Sequence, residues 1–292
     1  MIAVIADDFT GAAELAGISL RYGLQVKLYT GISVYEACDV CIVSSDSRSM
    51  RKSDSLEVTR NIVTALNELS PSFIYKKTDS VLRGYVLDEI NVQMQITRKQ
   101  RAVILPANPS LGRKIISGKY YIGDQLIADT NFSKDPEFPV KSSLVTEMLG
   151  AGKDEVSILT RGLKTDQLPV SIAEAASTED VEYWAKQLDH SFLLAGAADF
   201  FEKLLENSFR EVPANKTSLL SPHLYVCGTT ATSSREVIGE IMQQPDLVAL
   251  LQEHDLVQKQ QSFSNAQLDH IKNNVAARGK LLLAIGNAGT LT

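Results

Sequence analysis

Residues 2–6, Ile-Ala-Val-Ile-Ala, form an unbroken apolar run, and Asp7-Asp8-Phe9-Thr10-Gly11 follows directly. A strand with one wet face alternates apolar and polar residues. A continuous apolar run is the pattern of a strand covered on both faces, as in the parallel sheets of α/β proteins. A parallel strand needs a crossover back to the same edge of its sheet. Residues 11–22 supply one, with Ala12, Leu15, Ala16, Ser19 and Leu20 at helical spacing. The pattern then recurs. Strands are expected over 25–29, 40–43, 73–76 and 102–105, and helices over 54–69 (stopped by Pro71) and 82–97. Alternation of this kind predicts βαβ units and a parallel sheet.

Residues 106–143 are rich in Pro, Gly, Asn, Asp, Ser and Tyr and carry little periodicity. So long a weakly patterned stretch inside a compact domain is usually functional. The strand pattern resumes at 155–160. A helix is expected over 178–188 with Ser177 or Thr178 as its N-cap, then a strand over 191–195 ending at Gly196 and a helix over 198–206. Residues 207–222 read as a linker. A new βα pattern begins with a strand over 224–227, the turn Gly228-Thr229-Thr230 and a helix over 233–243. It continues through 247–251, a helix over 265–277 and a strand over 281–285, seven residues before Thr292. The expected fold class is α/β: an N-terminal parallel-sheet domain over 1–207, a linker over 208–222 and a second, incomplete α/β domain over 223–292. A last strand without a crossover would leave one sheet face uncovered. Association, with a homo-oligomer as one form of it, or poor stability is therefore expected.

The formal net charge of -6 argues against a general nucleic-acid surface, which needs a basic footprint. It also means that an anionic substrate must be drawn by a local basic cluster. No run approaches the roughly 20 apolar residues of a membrane span, and the N-terminus lacks the basic region of a signal peptide. Cys38 and Cys41 form a CxxC without a second half-site, and Cys227 stands alone. They are read as small buried thiols in a reducing compartment, the cytoplasm. His190, His223, His254 and His270 show no metal spacing, so no metal ligands are assigned.

Two constellations carry chemistry. Asp7 and Asp8 close the first strand, and ligands of open α/β sheets bind at such carboxyl ends. Adjacent carboxylates there can accept hydroxyls or act as a general base, while the next helix N-terminus favours an anion. The same residues also suit simple capping, with Asp8 or Thr10 as the cap. The second is Lys76-Lys77-Thr78-Asp79-Ser80-Val81-Leu82-Arg83-Gly84 after the strand at 73–76. Arg83 can grip a carboxylate through two parallel N–H bonds, and Lys77 adds a point charge. Asp79 and Ser80 suit hydroxyl recognition. Ser45-Asp46-Ser47-Arg48 and Pro106-Ala107-Asn108-Pro109 fall at the same sheet edge but read alone as turns. Dinucleotide and P-loop fingerprints are missing, and so is the DxDxT of a phosphatase, since Ala6 stands at its first position.

These residues resemble the four-carbon acid sugar kinases, which phosphorylate acids such as threonate and erythronate. The resemblance rests on Ala6-Asp7-Asp8-Phe9-Thr10-Gly11-Ala12 and on Lys77-Thr78-Asp79-Ser80-Val81-Leu82-Arg83-Gly84. Pro106-Ala107-Asn108-Pro109 with Gly112-Arg113, and the loop Thr130, Phe132, Asp135-Pro136, Pro139-Val140, extend it. So does the turn Gly228-Thr229-Thr230, where the family's second domain begins.

The resemblance implies an N-terminal sugar-acid domain and a C-terminal domain binding ATP with Mg2+. It implies Asp7, Asp8 and Asp79 as catalytic residues. Lys77, Ser80, Arg83 and Asn108 would hold the substrate, with Arg83 on its carboxylate. Gly228, Thr229, Gly286 and Gly289 would face the nucleotide. The family's Gly-Gly-x-Thr and Lys-x-Gly-x-Phe-Gly nucleotide segments do not occur in these residues. Two functions of different class are therefore expected: an ATP-dependent kinase of four-carbon sugar acids, or a non-catalytic acid-binding module or degenerate kinase fragment. No nucleophile motif supports a phosphatase or lyase.

Overall fold

The computed structural model describes the chain apart from residues 33–35, 136, 153, 164–167, 214–219, 229–231, 244–247, 252–264 and 286–292. It divides into two compact units, Met1–Ala214 and Asn215–Thr292.

The first unit is built on an eight-stranded sheet whose paired strands all run parallel. Its strands are β1 (Ile2–Ala6), β2 (Val26–Tyr29), β3 (Val40–Ser44), β4 (Ile74–Lys77), β5 (Ala102–Leu105), β9 (Val156–Leu159), β10 (Val170–Ala173) and β11 (Leu193–Gly196). They lie in the order β2-β3-β1-β4-β11-β5-β10-β9. The apolar run of β1 is explained by its two neighbours in depth. Ile2, Val4 and Ala6 join Ala12, Leu15 and Ile18 of helix α1 (Phe9–Arg21) in one core cluster. Ala3 and Ile5 join Ile62, Val63 and Leu66 of helix α2 (Lys52–Glu68) in another. Helix α3 (Val86–Thr97) packs beside α2, while α5 (Thr178–Gln187) and α6 (Ala198–Glu206) pack together, α6 also against α1.

The chain leaves β1 toward β2 and β3, but it leaves β4 toward β5 on the other side. The strand order thus reverses between β1 and β4, and a crevice at such a switch point is where open α/β sheets bind ligands. The edge is packed tightly. A Cβ on Gly196 would stand 2.1 Å from the backbone oxygen of Leu105, so only glycine lets β11 and β5 come together there.

Three expectations need correction. Helix α3 starts at Val86, not at Leu82, because Leu82 and Gly84 are left-handed (φ 61° and 88°) and cannot continue a helix. The stretch 106–143 holds a small antiparallel sheet of β6 (Arg113–Ile116), β7 (Lys119–Ile122) and β8 (Gln125–Leu126). Its first hairpin turns at Ser117-Gly118, both with positive φ, the geometry that suits a two-residue hairpin loop. Strand β10 and the one-turn helix α4 (Val145–Met148) also went unanticipated.

The second unit, taken by itself, has a three-stranded parallel sheet in the order β12 (His223–Cys227), β14 (Lys280–Ile285), β13 (Val248–Leu251), with helices α7 (Thr232–Ile241) and α8 (Asn265–Arg278). Leu224, Tyr225 and Val226 of β12 are exposed. Among the described residues no helix is long and apolar enough to cross a membrane. The three cysteines form no disulfide, and burial pushes the Cys41 thiol up to about 12, so it is not poised for redox chemistry.

Candidate active site

Helix α1 begins where β1 ends because Asp8 caps it: the carboxylate accepts from the Gly11 N–H at 2.7 Å. Gly11 keeps this entry open. A Cβ there would stand 2.9 Å from Asp8 Oδ1 and 3.1 Å from Lys77 Nζ, so the Asp8 carboxylate and the Lys77 ammonium reach the same point at the helix start. Lys77 also donates to the Thr78 carbonyl at 3.0 Å and lies 3.6 Å from Glu14.

The turn after β1 and the loop after β4 meet at one guanidinium. Arg48, at the end of the neighbouring strand β3, donates from Nε to Asp7 at 2.9 Å and places Nη2 3.0 Å from Asp8 and 3.5 Å from Asp79. The two constellations therefore converge, and Arg48, which reads in the sequence as part of a turn, joins them. The signal available was position alone: Arg48 follows the strand that flanks β1.

Asp79 is buried and holds Arg83 by two parallel bonds, Nε at 2.9 Å and Nη2 at 3.0 Å, besides accepting the Arg83 backbone N–H. Burial alone would raise its carboxyl. The Arg83 bonds and the Arg48 charge outweigh that and hold it below the ordinary carboxylate range. The remaining arm of Arg83 reaches Asp135 at 2.8 Å, and its guanidinium lies 5.9 Å from the centre of the Phe132 ring. Asp135 is lowered first by the Phe138 N–H it accepts and then by Arg83. Ser80 Oγ accepts from Arg113, and its carbonyl accepts from the buried Tyr120 hydroxyl at 2.6 Å. The hairpin of β6 and β7 thus fastens the loop after β4. Asn108 lies beyond β11 at the end of β5, where its Oδ1 caps the Asp199 N–H at 3.0 Å. Asp199 in turn accepts from the Ser110 backbone and hydroxyl.

Asp7 differs from its neighbours. It is 4% exposed, and its Oδ1 is buried with no hydrogen-bond partner. Burial raises its carboxyl above the ordinary value against the opposing charges of Lys76 and Arg48. Thr78 Oγ1, just after β4, is likewise buried without a hydrogen bond. Orphaned polar atoms are rare in native interiors, and these two lie at the switch point, while Thr59 Oγ1 and Gln93 Oε1 lie on α2 and α3.

Among the described residues no group of three His, Cys, Asp or Glu side chains is placed to hold a metal ion. The acidic side chains that gather here already face Arg48 and Arg83, so they do not fit a resident magnesium ion. In the second unit Gly228 follows β12 and is exposed, while Thr229, Gly286 and Gly289 lie outside the described residues.

Residues 2–204 match the family model described as "Sugar-binding N-terminal domain". A protein of Bordetella bronchiseptica named D-threonate kinase is 29% identical over 202 residues, covering 64% of this chain and 49% of that protein. A 3-oxo-tetronate kinase of Actinobacillus succinogenes is 27% identical over 158 residues, 52% of this chain and 38% of that protein. The chain thus spans about half the length, or less, of these curated relatives. A crystal structure of a Haemophilus influenzae protein superposes with a TM-score of 0.73 at 17% identity, over 99% of this chain and 76% of that one, which shows a shared fold. By its matched domain and the relatives that share it, the chain belongs to the four-carbon acid sugar kinase family.

Proposed function

We propose that the first unit binds a four-carbon sugar acid at the β1–β4 switch point and that the protein phosphorylates it from ATP with Mg2+, in sugar-acid catabolism. The observation that carries this reading is the convergence of Asp7, Asp8 and Asp79 on Arg48, with Asp7 Oδ1 left buried and unpartnered. A substrate hydroxyl donating to that oxygen would satisfy it. Burial makes the ionised Asp7 more basic than a carboxylate in water, which suits a proton acceptor. The hydroxyl oxygen would bond to the γ-phosphorus as the bond to the ADP oxygen breaks, and its proton would pass to Asp7. Phosphoryl transfer of this kind is mostly positioning and charge stabilisation. The magnesium ion would arrive on the nucleotide phosphates. Gly228, Thr229, Gly286 and Gly289 remain the proposed nucleotide contacts.

Lys77 sets a positive charge beside Asp8 at the start of α1, where the helix terminus adds its own. Arg83 is the proposed partner of the substrate carboxylate, which would compete with Asp135 for the free arm of the guanidinium. Ser80 and Asn108 complete the proposed edge. Their side chains already bond to Arg113 and to the start of α6, so their effect would come through the loops they hold.

The test takes the full chain, Mg-ATP and a panel of threonate, erythronate and 3-oxo-tetronate, with calorimetry for binding and phosphorus NMR for product. Binding of at least one acid and a new phosphomonoester are expected. Asp7→Asn should lower turnover by roughly 10²–10⁴-fold while sparing binding, as loss of a general base does. Arg83→Ala should weaken acid binding by about 1.5–3 kcal/mol, the worth of a charge-assisted bond. Binding without product would leave the acid-binding module as the function, and a panel that does not bind at all would end the reading.

A further inference from the structure

The mechanism above uses Asp7 but not the buried charges beneath it. Lys76 is fully buried in β4, in register with Ile5 of β1, on the sheet face that carries α2 and α3. Its Nζ stands 2.5 Å from Glu89 Oε2 on α3. The other oxygen of Glu89 accepts from the hydroxyls of Ser47 and Ser55, each at 2.7 Å. The Ser45 and Ser47 hydroxyls lie 2.9 Å apart, and the one Ser45 hydroxyl proton is shared between Ser47 Oγ and the carbonyl of Ala6 (2.9 Å), which also accepts from the Ser45 N–H (2.8 Å). The Ser47 N–H donates to the carbonyl of Asp7 itself at 3.1 Å. The network therefore runs from Glu89 to the peptide groups on either side of the Asp7 Cα.

A buried ion pair is weak evidence for stability, because well-packed apolar residues of similar size often do as well. Its place here is informative. Lys76 Nζ faces Glu89 Oε2, whereas Asp7 Oδ1, two residues beyond the strand partner of Lys76, is buried with no hydrogen-bond partner. The charges that face Asp7 are Lys76 from β4, Arg48 from the end of β3 and Asp79 from the loop after β4. Arg48 divides its charge among three carboxylates, whereas Lys76 pairs with Glu89.

We propose that Lys76 and Glu89 are a positioning pair for Asp7: Lys76 supplies the solvent-shielded positive charge that keeps Asp7 a carboxylate, and Glu89 sets how much of that charge Asp7 receives. The functional meaning rests on the reading of Asp7 as the hydroxyl acceptor, since burial alone would drive Asp7 toward its protonated, unreactive form. The two residues then act with opposite sign. Without Lys76, Asp7 ionises less readily. Without the negative charge of Glu89, the unneutralised ammonium favours ionised Asp7 more strongly.

The experiment follows the Asp7 carboxyl directly, by carbon-13 NMR titration of the full chain labelled at the aspartate γ-carbons. The Asp7 resonance is identified by its loss in Asp7→Asn. Lys76→Met should move the Asp7 titration upward by about one pH unit or more, the effect of losing an opposite charge nearby. Glu89→Gln should move it downward. If Lys76→Met alone does not fold, by circular dichroism, the double variant Lys76→Met with Glu89→Leu buries an apolar pair, and a smaller upward movement is expected, because the opposing charge of Glu89 is lost with that of Lys76. An Asp7 titration that stays put in these variants, or that moves the same way in Lys76→Met and Glu89→Gln, would overturn the proposal. The titration needs no turnover, so failure to phosphorylate any acid would sink the kinase reading and leave this result standing.

Discussion

The turn after β1 and the loop after β4 use the same kinds of residue and meet at the same Arg48, yet they reach different electrostatic ends. After β4, Asp79 has a bidentate arginine and a backbone N–H, Arg83 has two carboxylates, and Ser80 is held by Arg113 and Tyr120. Apart from the Thr78 hydroxyl, the polar side chains of that loop are answered by protein. After β1, Asp7 has one oxygen on Arg48 and another that is buried and unanswered. Burial acts on both carboxylates, and only the supply of partners separates them: Asp79 ends below the ordinary range and Asp7 above it. A satisfied ion-pair network makes scaffold. A buried acceptor without a donor is a place for a ligand.

The sharpest way to break this comparison is to delete each carboxylate. Asp79→Ala leaves Arg83 and Arg48 short of a buried partner, and such losses cost about 3–5 kcal/mol. Asp7→Asn removes a charge whose burial is only partly compensated. It should raise stability or leave it within about 1 kcal/mol, as at sites where function holds strain. Urea unfolding of both variants checks this, and equal losses would erase the distinction between scaffold and site.

Acid should then separate the two residues by sign. Asp79 has a depressed folded value, so its ionisation stabilises the fold above the unfolded value of about 3.9. That stabilisation is lost as pH falls through the folded value, below the ordinary range. Asp7 has a raised folded value, so its ionisation destabilises. The penalty is absent below about 3.9, grows as pH rises, and is complete above the folded value. The stability difference between wild type and Asp79→Asn should therefore shrink in acid, with the variant the weaker at neutral pH. For Asp7→Asn the difference should also shrink in acid, with the variant no weaker at neutral pH. Stability measured from pH 3 to pH 7 decides it.

Much of the architecture was legible because burial writes itself into the chain. An apolar run of five residues in β1 reads as a doubly covered strand, and the Asp-Asp turn follows at its carboxyl end. A cap at Ser177 or Thr178 was legible from type and spacing, and the structure shows it to be Ser177, whose N–H donates back to the Asp180 carboxylate. The break at Leu82 was not legible, since its left-handed backbone accompanies the Asp79–Arg83 clamp and not any propensity of leucine. Glu89 lies in the first turn of α3, where a negative charge is favourable, but only the structure sets that start. Its burial depends on Lys76, which stands 13 positions earlier in the strand Ile-Tyr-Lys-Lys. Arg48 shows the same limit: a charged turn residue becomes central only when the strand order sets β3 beside β1. Long-range pairing decides which charges are answered, and the local pattern does not record it.

The smallest expected effect asks whether Arg83 belongs wholly to the scaffold. Asp135 gives one oxygen to Arg83 and the other to the N–H groups of Glu137 and Phe138. Asp135→Asn keeps an acceptor for those backbone groups but removes the charge from Arg83. The pair is only partly buried, so stability should fall by about 1 kcal/mol at most. The consequence for binding is the sharper readout. If a substrate carboxylate competes for that arm of Arg83, removing the resident charge should tighten acid binding, by up to about tenfold for 1.4 kcal/mol of relieved competition. Unchanged affinity in calorimetry would place Arg83 with Asp79 and Ser80 as scaffold. The substrate carboxylate would then fall to Lys77 and the start of α1, where Gly11 lets the ammonium approach.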